Sequence, residues 1–151
     1  MKKININTTF VSVFGIGFIP IASGTFGSLA GIIIGYILNL IDYKLFFIII
    51  PTLFILGVIA SDIYQKQTGE KDSSVIVIDE VVGQLIAMMF VINDLQLVFI
   101  SFITFRIFDI FKPWPASYAD EKIYGGLGVM LDDVFAGIYT VIVMYIITCL
   151  I

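Results

Sequence analysis

The stretch 75-VIVIDEVVGQLIAMMFVI-92 holds an acidic pair, Asp79 and Glu80, inside an otherwise apolar run. Carboxylates are costly within a membrane span, so they normally face a bundle interior or a polar cavity and mark a site. The run therefore predicts an apolar membrane helix that carries a polar site near one of its ends.

The composition of the whole chain supports a membrane location. Of its 151 residues, 60% are hydrophobic and only 13% are charged, and the mean hydropathy is +1.08. Soluble domains carry about 25% charged residues. We therefore predict an integral membrane protein, and the length predicts a single domain over residues 1–151.

Apolar segments recur along the chain, each near the lower limit for crossing a hydrocarbon core of about 30 Å. An earlier run, 10–22, is too short to span and contains Gly15, Gly17 and Pro20, which predicts an interfacial or re-entrant piece buried against the bundle. The predicted fold class is all-α, a polytopic membrane bundle of about four to five apolar helices plus this short N-terminal segment. The apolar segments are 26–41, 45–61, 76–92, 96–111 and 134–151.

The distribution of lysines between the two sides predicts the orientation. The N-terminal region and the predicted loops 62–74 and 112–133 fall on one side, whereas the opposite loops hold only Lys44. The positive-inside bias places the richer side in the cytoplasm and the C-terminus outside. The lysines on the richer side are Lys2, Lys3, Lys66, Lys71, Lys112 and Lys122.

Two further charged stretches reach the same side. In 105-FRIFDIFKPWP-115, Arg106, Asp109 and Lys112 are spaced to share one helix face. In 129-VMLDDVFAGIY-139, two adjacent aspartates stand at the start of the last apolar segment. An alternative is purely structural: Arg106 pairs with Asp109, one of the adjacent aspartates caps the last helix, and the other charges extend to the interface. The candidate carboxylates are Asp79, Glu80, Asp109, Asp132 and Asp133.

The residues that the chain lacks limit the chemistry of this cluster. There is no histidine, and the single cysteine, Cys149, lies in an aliphatic run. Nucleophiles that depend on histidine, histidine-bound zinc and an activated thiolate are therefore excluded. Converging carboxylates instead suit a hard cation, of which Mg²⁺ is the natural choice because it also binds phosphate oxygens. Arg106 and Lys112 are then candidate phosphate ligands, although Lys112 could equally be an interfacial cation at a helix end.

A small-residue turn precedes the first apolar segment. In 20-PIASGTFGSLAG-31, the backbone N–H groups and hydroxyls of Gly24, Thr25 and Ser28 suit an anion at a helix N-terminus. Simple capping by Thr25 or Ser28 is an alternative. The spacing of Gly27, Gly31 and Gly35 predicts close packing of another helix.

Four acidic residues outside these stretches are interpreted as loop charges. Asp72 is the exception that could reach the cluster. The four residues are Glu70, Asp72, Asp120 and Glu121.

Four blocks of the sequence together resemble the phosphatidylglycerophosphatase A family. They occur in the family's order and cover most of the chain outside the second apolar segment. Ser23 stands where the family pattern usually has proline, which leaves Gly24, Thr25 and Ser28 in place. The blocks are 15-GIGFIPIASGTFGS-28, 72-DSSVIVIDEVVG-83, 105-FRIFDIFKPWP-115 and 125-GGLGVMLDDVFAG-137.

The resemblance implies an Mg²⁺-dependent lipid phosphatase of the bacterial inner membrane, with its active site facing the cytoplasm. Such an enzyme converts phosphatidylglycerophosphate to phosphatidylglycerol and inorganic phosphate. Its partners would be this substrate and the surrounding lipids, without nucleic acid, and a homo-oligomer is left open. The resemblance also implies site roles for the acidic pair, the FRxFDxxKP residues, the DD pair and the glycine-threonine turn.

Other functions compete with this hypothesis. A small transporter or channel could use intramembrane carboxylates, but here the charges gather at one face and do not cross the membrane. A CDP-alcohol phosphotransferase also uses aspartates and Mg²⁺, but its DGxxAR…GxxxD…D pattern is missing from the sequence. A structural membrane subunit would need no such cluster and would tolerate Asp109→Asn.

Overall fold

The computed structural model describes residues 5–71 and 73–150, and these residues form helices joined by turns. The predicted all-α class is therefore confirmed. Short 3₁₀ helices at Ile16–Phe18 and Tyr43–Leu45 precede the second and third α-helices. The α-helices are α1 (Ile6–Val11), α2 (Ser23–Ile41), α3 (Phe46–Thr68), α4 (Ile78–Met88), α5 (Leu95–Phe111), α6 (Ala116–Lys122) and α7 (Gly126–Leu150).

Three helices are long and apolar enough to cross a bilayer within the described part of the chain. They are α2, α3 together with the 3₁₀ helix before it, and α7. α5, at 17 residues, is slightly shorter. The predicted membrane bundle is thus confirmed, with most of its helices close to the expected positions.

Helix α4 differs from the prediction in length and surroundings. The predicted apolar segment 76–92 contains only 11 helical residues, which rise about 16 Å at 1.5 Å per residue and cannot cross the hydrocarbon core. Residues 89–93 form turns instead. α4 is enclosed by α2, α3, α5 and α7, and its Val81, Val82 and Leu85 are fully buried. Hydropathy alone could not separate this core helix from a span, because both are apolar on all sides.

Glycines allow the neighbours of α4 to approach closely. A Cβ on Gly31 would lie 3.0 Å from Gln84 Cβ, and one on Gly35 would lie 2.9 Å from the terminal methyl of Met88. Together with Gly27, which faces Val77, these positions line the contact of α2 with α4. The predicted close packing at the glycine repeat is confirmed.

The segment before α2 packs on the start of α4. The Val77 N–H donates to the carbonyl of Val11 at 2.9 Å, and Gly17 lies against the Val75 carbonyl, where a Cβ would overlap. Phe14 nevertheless leaves 91% of its side chain exposed. The predicted segment 10–22 thus consists of the last residues of α1, a 3₁₀ helix and the turns around them. One face of this segment is buried and the other is exposed.

Two predicted loops are partly helical. α3 continues to Thr68 and is followed by Gly69 at a left-handed φ of 74°, so residues 62–68 of the predicted loop 62–74 are helical. The loop 112–133 contains α6 and the first turns of α7. The predictions ended α3 before Asp62 and began α7 after Asp133. These charges do not end the helices, because Asp62 pairs with Lys66 at the helix surface and Asp133 is directed into the site described below.

Candidate active site

Three carboxylates from two helices meet at one point. Asp79 and Glu80 lie in the first turn of α4, and Asp133 lies in the third turn of α7. One oxygen from each residue lies within 4.8 Å of the others. α7 can approach here because α4 has glycine at position 83, where a Cβ would lie 2.8 Å from the Asp133 carbonyl oxygen.

Each of these carboxylates has an oxygen that lacks a protein partner. Within residues 5–71 and 73–150, Asp79 Oδ1, Glu80 Oε2 and Asp133 Oδ2 are buried and accept no hydrogen bond. Three converging carboxylates with buried oxygens repel one another unless a cation or protons neutralise them. The donor set is entirely oxygen, which is the set that Mg²⁺ prefers. The residues therefore fit a hard divalent cation.

Arg106 borders this cluster from α5. Its Nη1 contacts Asp109 Oδ2, one turn later on the same helix, and lies 3.9 Å from Glu80 Oε1. Gly24 of α2 closes the other side, because a Cβ there would overlap the Glu80 carboxylate and lie 3.0 Å from Arg106 Nη1. The pairing of Arg106 with Asp109 matches the structural alternative, but the same guanidinium also faces the carboxylate cluster.

A second ionic group lies beside the first. Lys112 Nζ is 2.7 Å from Asp132 Oδ2 and 3.0 Å from Asp120 Oδ1. Burial disfavours the charged ammonium, but the two carboxylates outweigh that effect and hold the pKa of Lys112 above its ordinary value. Asp132 Oδ1 accepts a hydrogen bond from the Asp133 N–H at 2.9 Å, so the adjacent aspartates connect the two groups.

The adjacent aspartates do not cap the last helix. α7 begins at Gly126, two turns before them, and the two residues are 6% and 2% exposed. Successive helical residues point about 100° apart, so Asp132 faces Lys112 while Asp133 faces α4. The capping alternative for Asp132 and Asp133 is therefore wrong.

The N-terminus of α2 has no side-chain cap. α2 begins at Ser23, after Ala22 at a left-handed φ of 54°, and no side chain bonds its first N–H groups. Ser28 is fully buried and its hydroxyl donates to the Gly24 carbonyl at 2.9 Å. Capping by Thr25 or Ser28 is therefore excluded, and both residues lie inside the helix, not before it as the sequence predicted. The Thr25 and Phe26 N–H groups donate to the Ala22 carbonyl at 2.9 and 3.3 Å, so the N–H groups that can bind an anion are those before them, at Ser23 and Gly24.

A groove opens beside the cluster. It has a volume of about 490 Å³ and runs between the segment before α2 and the turn before α4, with Glu80 and Arg106 in its wall. Ser23 Oγ donates to the Ser74 carbonyl at 2.9 Å across it. The groove is larger than a phosphate group, and it joins the carboxylate cluster to the α2 N-terminus. The other lining residues are Gly17, Phe18, Ile19, Pro20, Ala22, Gly24 and Val75.

The structure brings most of the predicted site residues to one place, but two predictions of loop charges are wrong. Asp120 and Glu121 both lie on α6, and Asp120 pairs with Lys112. The ion pair joins residues on either side of the turn between α5 and α6, and a single sequence does not show how that turn folds. The expectation that Asp72 reaches the cluster falls outside the described residues.

Comparisons with known proteins identify the family of the chain. The family model described as phosphatidylglycerophosphatase A matches residues 9–148. The chain belongs to this family. Phosphatidylglycerophosphatase A of Escherichia coli (strain K12) is 37% identical over 135 residues, which cover 89% of this chain and 78% of the relative. The Haemophilus influenzae protein of the same name is 43% identical over 134 residues, covering 87% and 82%.

A relative from Bacteroides thetaiotaomicron has a different name. It is 37% identical over 139 residues, covering 87% of this chain and 86% of its own, and its provisional name is that of a phosphatidylinositol-3-phosphatase. No solved structure shows a significant match. Membership in the phosphatidylglycerophosphatase A family makes the chain a membrane-embedded hydrolase of phosphate monoesters. The transporter and structural-subunit alternatives are accordingly set aside.

Proposed function

We propose that the protein hydrolyses phosphatidylglycerophosphate to phosphatidylglycerol and inorganic phosphate, in an Mg²⁺-dependent reaction of phospholipid biosynthesis. One observation carries the proposal: three carboxylates converge within 4.8 Å of one another, beside an arginine and a groove that admits a headgroup. The names of the E. coli and H. influenzae relatives support the substrate.

In this proposal Asp79, Glu80 and Asp133 hold Mg²⁺, with Asp109 and Asp132 completing the acidic site through their ionic partners. Bound Mg²⁺ supplies charge neutralisation and polarisation of the phosphoryl group. Asp109 and Asp132 pair with Arg106 and Lys112, so they act on the metal site through these two cations. Because each aspartate holds a cation of the site, both Asp109 and Asp132 are needed for turnover.

The phosphate-binding groups of the proposal surround the same point. The Arg106 guanidinium provides paired N–H donors for phosphate oxygens. The first N–H groups of α2, at Ser23 and Gly24, provide an anion site beside it, and the Thr25 N–H holds this turn by donating to the Ala22 carbonyl at 2.9 Å. Ser28 contributes only by fixing the Gly24 carbonyl, and Lys112 contributes a single donor from the second ionic group.

Hydrolysis then needs an oxygen nucleophile and a proton for the leaving group. Either a carboxylate attacks phosphorus directly, or it removes a proton from an attacking water. In both cases the bond from phosphorus to the glycerol oxygen breaks, its electron pair stays on that oxygen, and a proton makes the alcohol of phosphatidylglycerol. Direct attack would leave the phosphoryl group on the carboxylate, and water must then hydrolyse this acyl phosphate to give inorganic phosphate and regenerate the carboxylate. Trapping of a phosphorylated carboxylate with hydroxylamine during turnover separates this route from direct attack by water.

The substrate meets the site at the membrane surface. The lysine distribution supports an active site that opens to the cytoplasm at the bacterial inner membrane, where headgroups of the inner leaflet are presented. The three apolar spans and the exposed Trp114, at 78%, agree with a membrane interface near the end of α5. Labelling of single cysteines placed at 70 and 93, in a Cys149→Ser background, tests the orientation in intact cells.

The test of function is phosphate release by detergent-purified protein from three lipids, with and without Mg²⁺. We expect release from phosphatidylglycerophosphate, and much slower release from phosphatidic acid and phosphatidylinositol 3-phosphate. The Asp109→Asn protein should be inactive while keeping its helical circular dichroism. Equal or faster release from phosphatidylinositol 3-phosphate would reassign the headgroup, and release without Mg²⁺ would overturn the metal dependence.

A further inference from the structure

The short helix α6 places an acidic residue against Lys112. Asp120 Oδ1 lies 3.0 Å from Lys112 Nζ, although the two residues belong to different helices. α6 is firmly held, because its Ala116 and Ala119 are fully buried. A Cβ on Gly128 of α7 would overlap the carbonyl of Ile123 just after α6. The backbone that carries Asp120 is therefore fixed against α7.

The backbone of Lys112 is fixed from the other side. It caps α5 at a left-handed φ of 44°, with its N–H donating to the Phe108 carbonyl at 2.8 Å. Left-handed backbone is unfavourable for a residue with a side chain, so the surrounding structure must enforce it. The following Pro113 prevents α5 from continuing. Lys112 is thus turned out of the helix direction and toward α6 and α7.

The hydrogen-bonding capacity of Lys112 then limits what it can do. An ammonium has three N–H donors and no acceptor. Asp132 accepts a hydrogen bond from it at 2.7 Å and Asp120 Oδ1 forms an ion pair with it at 3.0 Å, which leaves one donor. Asp132 is itself fixed, because its other oxygen accepts from the Asp133 N–H. Two fixed acceptors determine the direction of the third donor, whereas a single acceptor would leave the ammonium free to rotate.

We propose that Asp120 is a positioning residue that orients the Lys112 ammonium so that its remaining donor reaches the phosphate of the substrate. This inference rests on the proposed function for the identity of that phosphate. Asp120 itself touches neither the substrate nor the carboxylate cluster. Its whole effect therefore passes through Lys112.

A double-mutant cycle tests this dependence. The variants are Asp120→Asn, Lys112→Met and the double variant, with Glu121→Gln as the matched control on the next, exposed position of α6. Asp120→Asn removes the charge and keeps the shape. Because both partners are partly exposed, at 27% and 35%, the expected rise in KM is moderate, about three- to tenfold, with little change in kcat. Glu121→Gln should leave both constants unchanged.

Non-additivity is the decisive readout. In the Lys112→Met background, Asp120→Asn should have no further effect on KM, because the group that it orients is gone. An equal fold-change in both backgrounds would overturn the proposal and leave Asp120 with a separate role. A lower thermal midpoint with unchanged KM would show that Asp120 only stabilises the fold.

A second readout does not depend on the lipid substrate. Inorganic phosphate, added with Mg²⁺, should raise the thermal midpoint of the wild-type protein, and Asp120→Asn should need about three- to tenfold more phosphate for the same rise. Equal phosphate dependence in the two proteins, or no response in the wild type, would overturn the positioning role. If phosphatidylglycerophosphate is not hydrolysed but the phosphate responses differ as expected, the proposed substrate fails and the positioning inference stands.

Discussion

Substitution of Gly83 by alanine tests whether the approach of α7 to α4 sets the geometry of the carboxylates. A Cβ at this position would lie 2.5 Å from the Phe105 ring and 2.8 Å from the Asp133 carbonyl oxygen. Phe105 is fully buried and the carbonyl is backbone, so neither neighbour can simply turn away. The Asp133 carbonyl must move by about 0.6 Å to pass from 2.8 Å to the 3.4 Å at which ordinary contact begins.

The size of the effect follows from that displacement. Glycine to alanine within a helix normally stabilises by up to about 1 kcal/mol. Overpacking of a tight contact instead costs about 1–3 kcal/mol, so the net result is destabilisation. A displacement of about 1 Å at reacting groups can lower turnover about 100-fold. We therefore expect Gly83→Ala to lose about 10- to 100-fold in kcat/KM while remaining folded.

The assay is phosphate release from phosphatidylglycerophosphate, with the thermal midpoint and circular dichroism measured on the same samples. Gly35→Ala is the matched control, because its Cβ would meet side-chain ends and no backbone: the Met88 methyl at 2.9 Å and Leu85 Cδ2 at 3.3 Å. That variant should keep its activity. Wild-type kcat/KM in Gly83→Ala, or an equal loss in Gly35→Ala, would refute the argument that this crossing positions Asp133.

Three other substitutions test separate parts of the structure. Arg106→Lys should lower kcat/KM about 10- to 100-fold without unfolding, since an ammonium cannot reproduce the paired donors of the guanidinium; unchanged phosphate release would contradict this. Gln84→Met should keep or raise the thermal midpoint, because both polar atoms of the buried Gln84 amide lack partners within the described residues. A clear fall in the thermal midpoint would indicate that the amide has a partner such as bound water. Ser23→Pro should leave activity intact and change the free energy of unfolding by less than about 1 kcal/mol. Proline suits the first helical position, and this gain offsets the lost hydrogen bond to Ser74. An inactive but folded variant would show that the Ser23 hydroxyl or N–H is needed in the groove.

The sequence allowed the fold class and the convergence of the carboxylates to be predicted because a membrane makes misplaced charge costly. Asp79, Glu80 and Asp133 stood out as carboxylates among apolar residues, and they do converge. The glycine repeat of α2 likewise follows from close packing. These features depend on local composition, which a single sequence contains.

The remaining features depend on tertiary contacts that composition does not record. α4 has the hydropathy of a span, yet it is a short helix enclosed by its neighbours, and only the positions of those helices distinguish the two. The extension of α7 back to Gly126 was missed for the same reason: Asp132 has a partner in Lys112, so the helix does not end at the charges. Asp120 resembled other loop acids until α6 brought it to that lysine.

The most direct test of the central claim is an Mg²⁺ titration of phosphate release from phosphatidylglycerophosphate by the wild-type protein and by Asp133→Asn, with Mg²⁺-induced thermal stabilisation measured in parallel. A metal site built on Asp79, Glu80 and Asp133 predicts saturable activation and stabilisation of the wild type, and at least a 100-fold loss of turnover together with a weaker Mg²⁺ response in the variant. Full Mg²⁺-dependent turnover by a folded Asp133→Asn protein would contradict it.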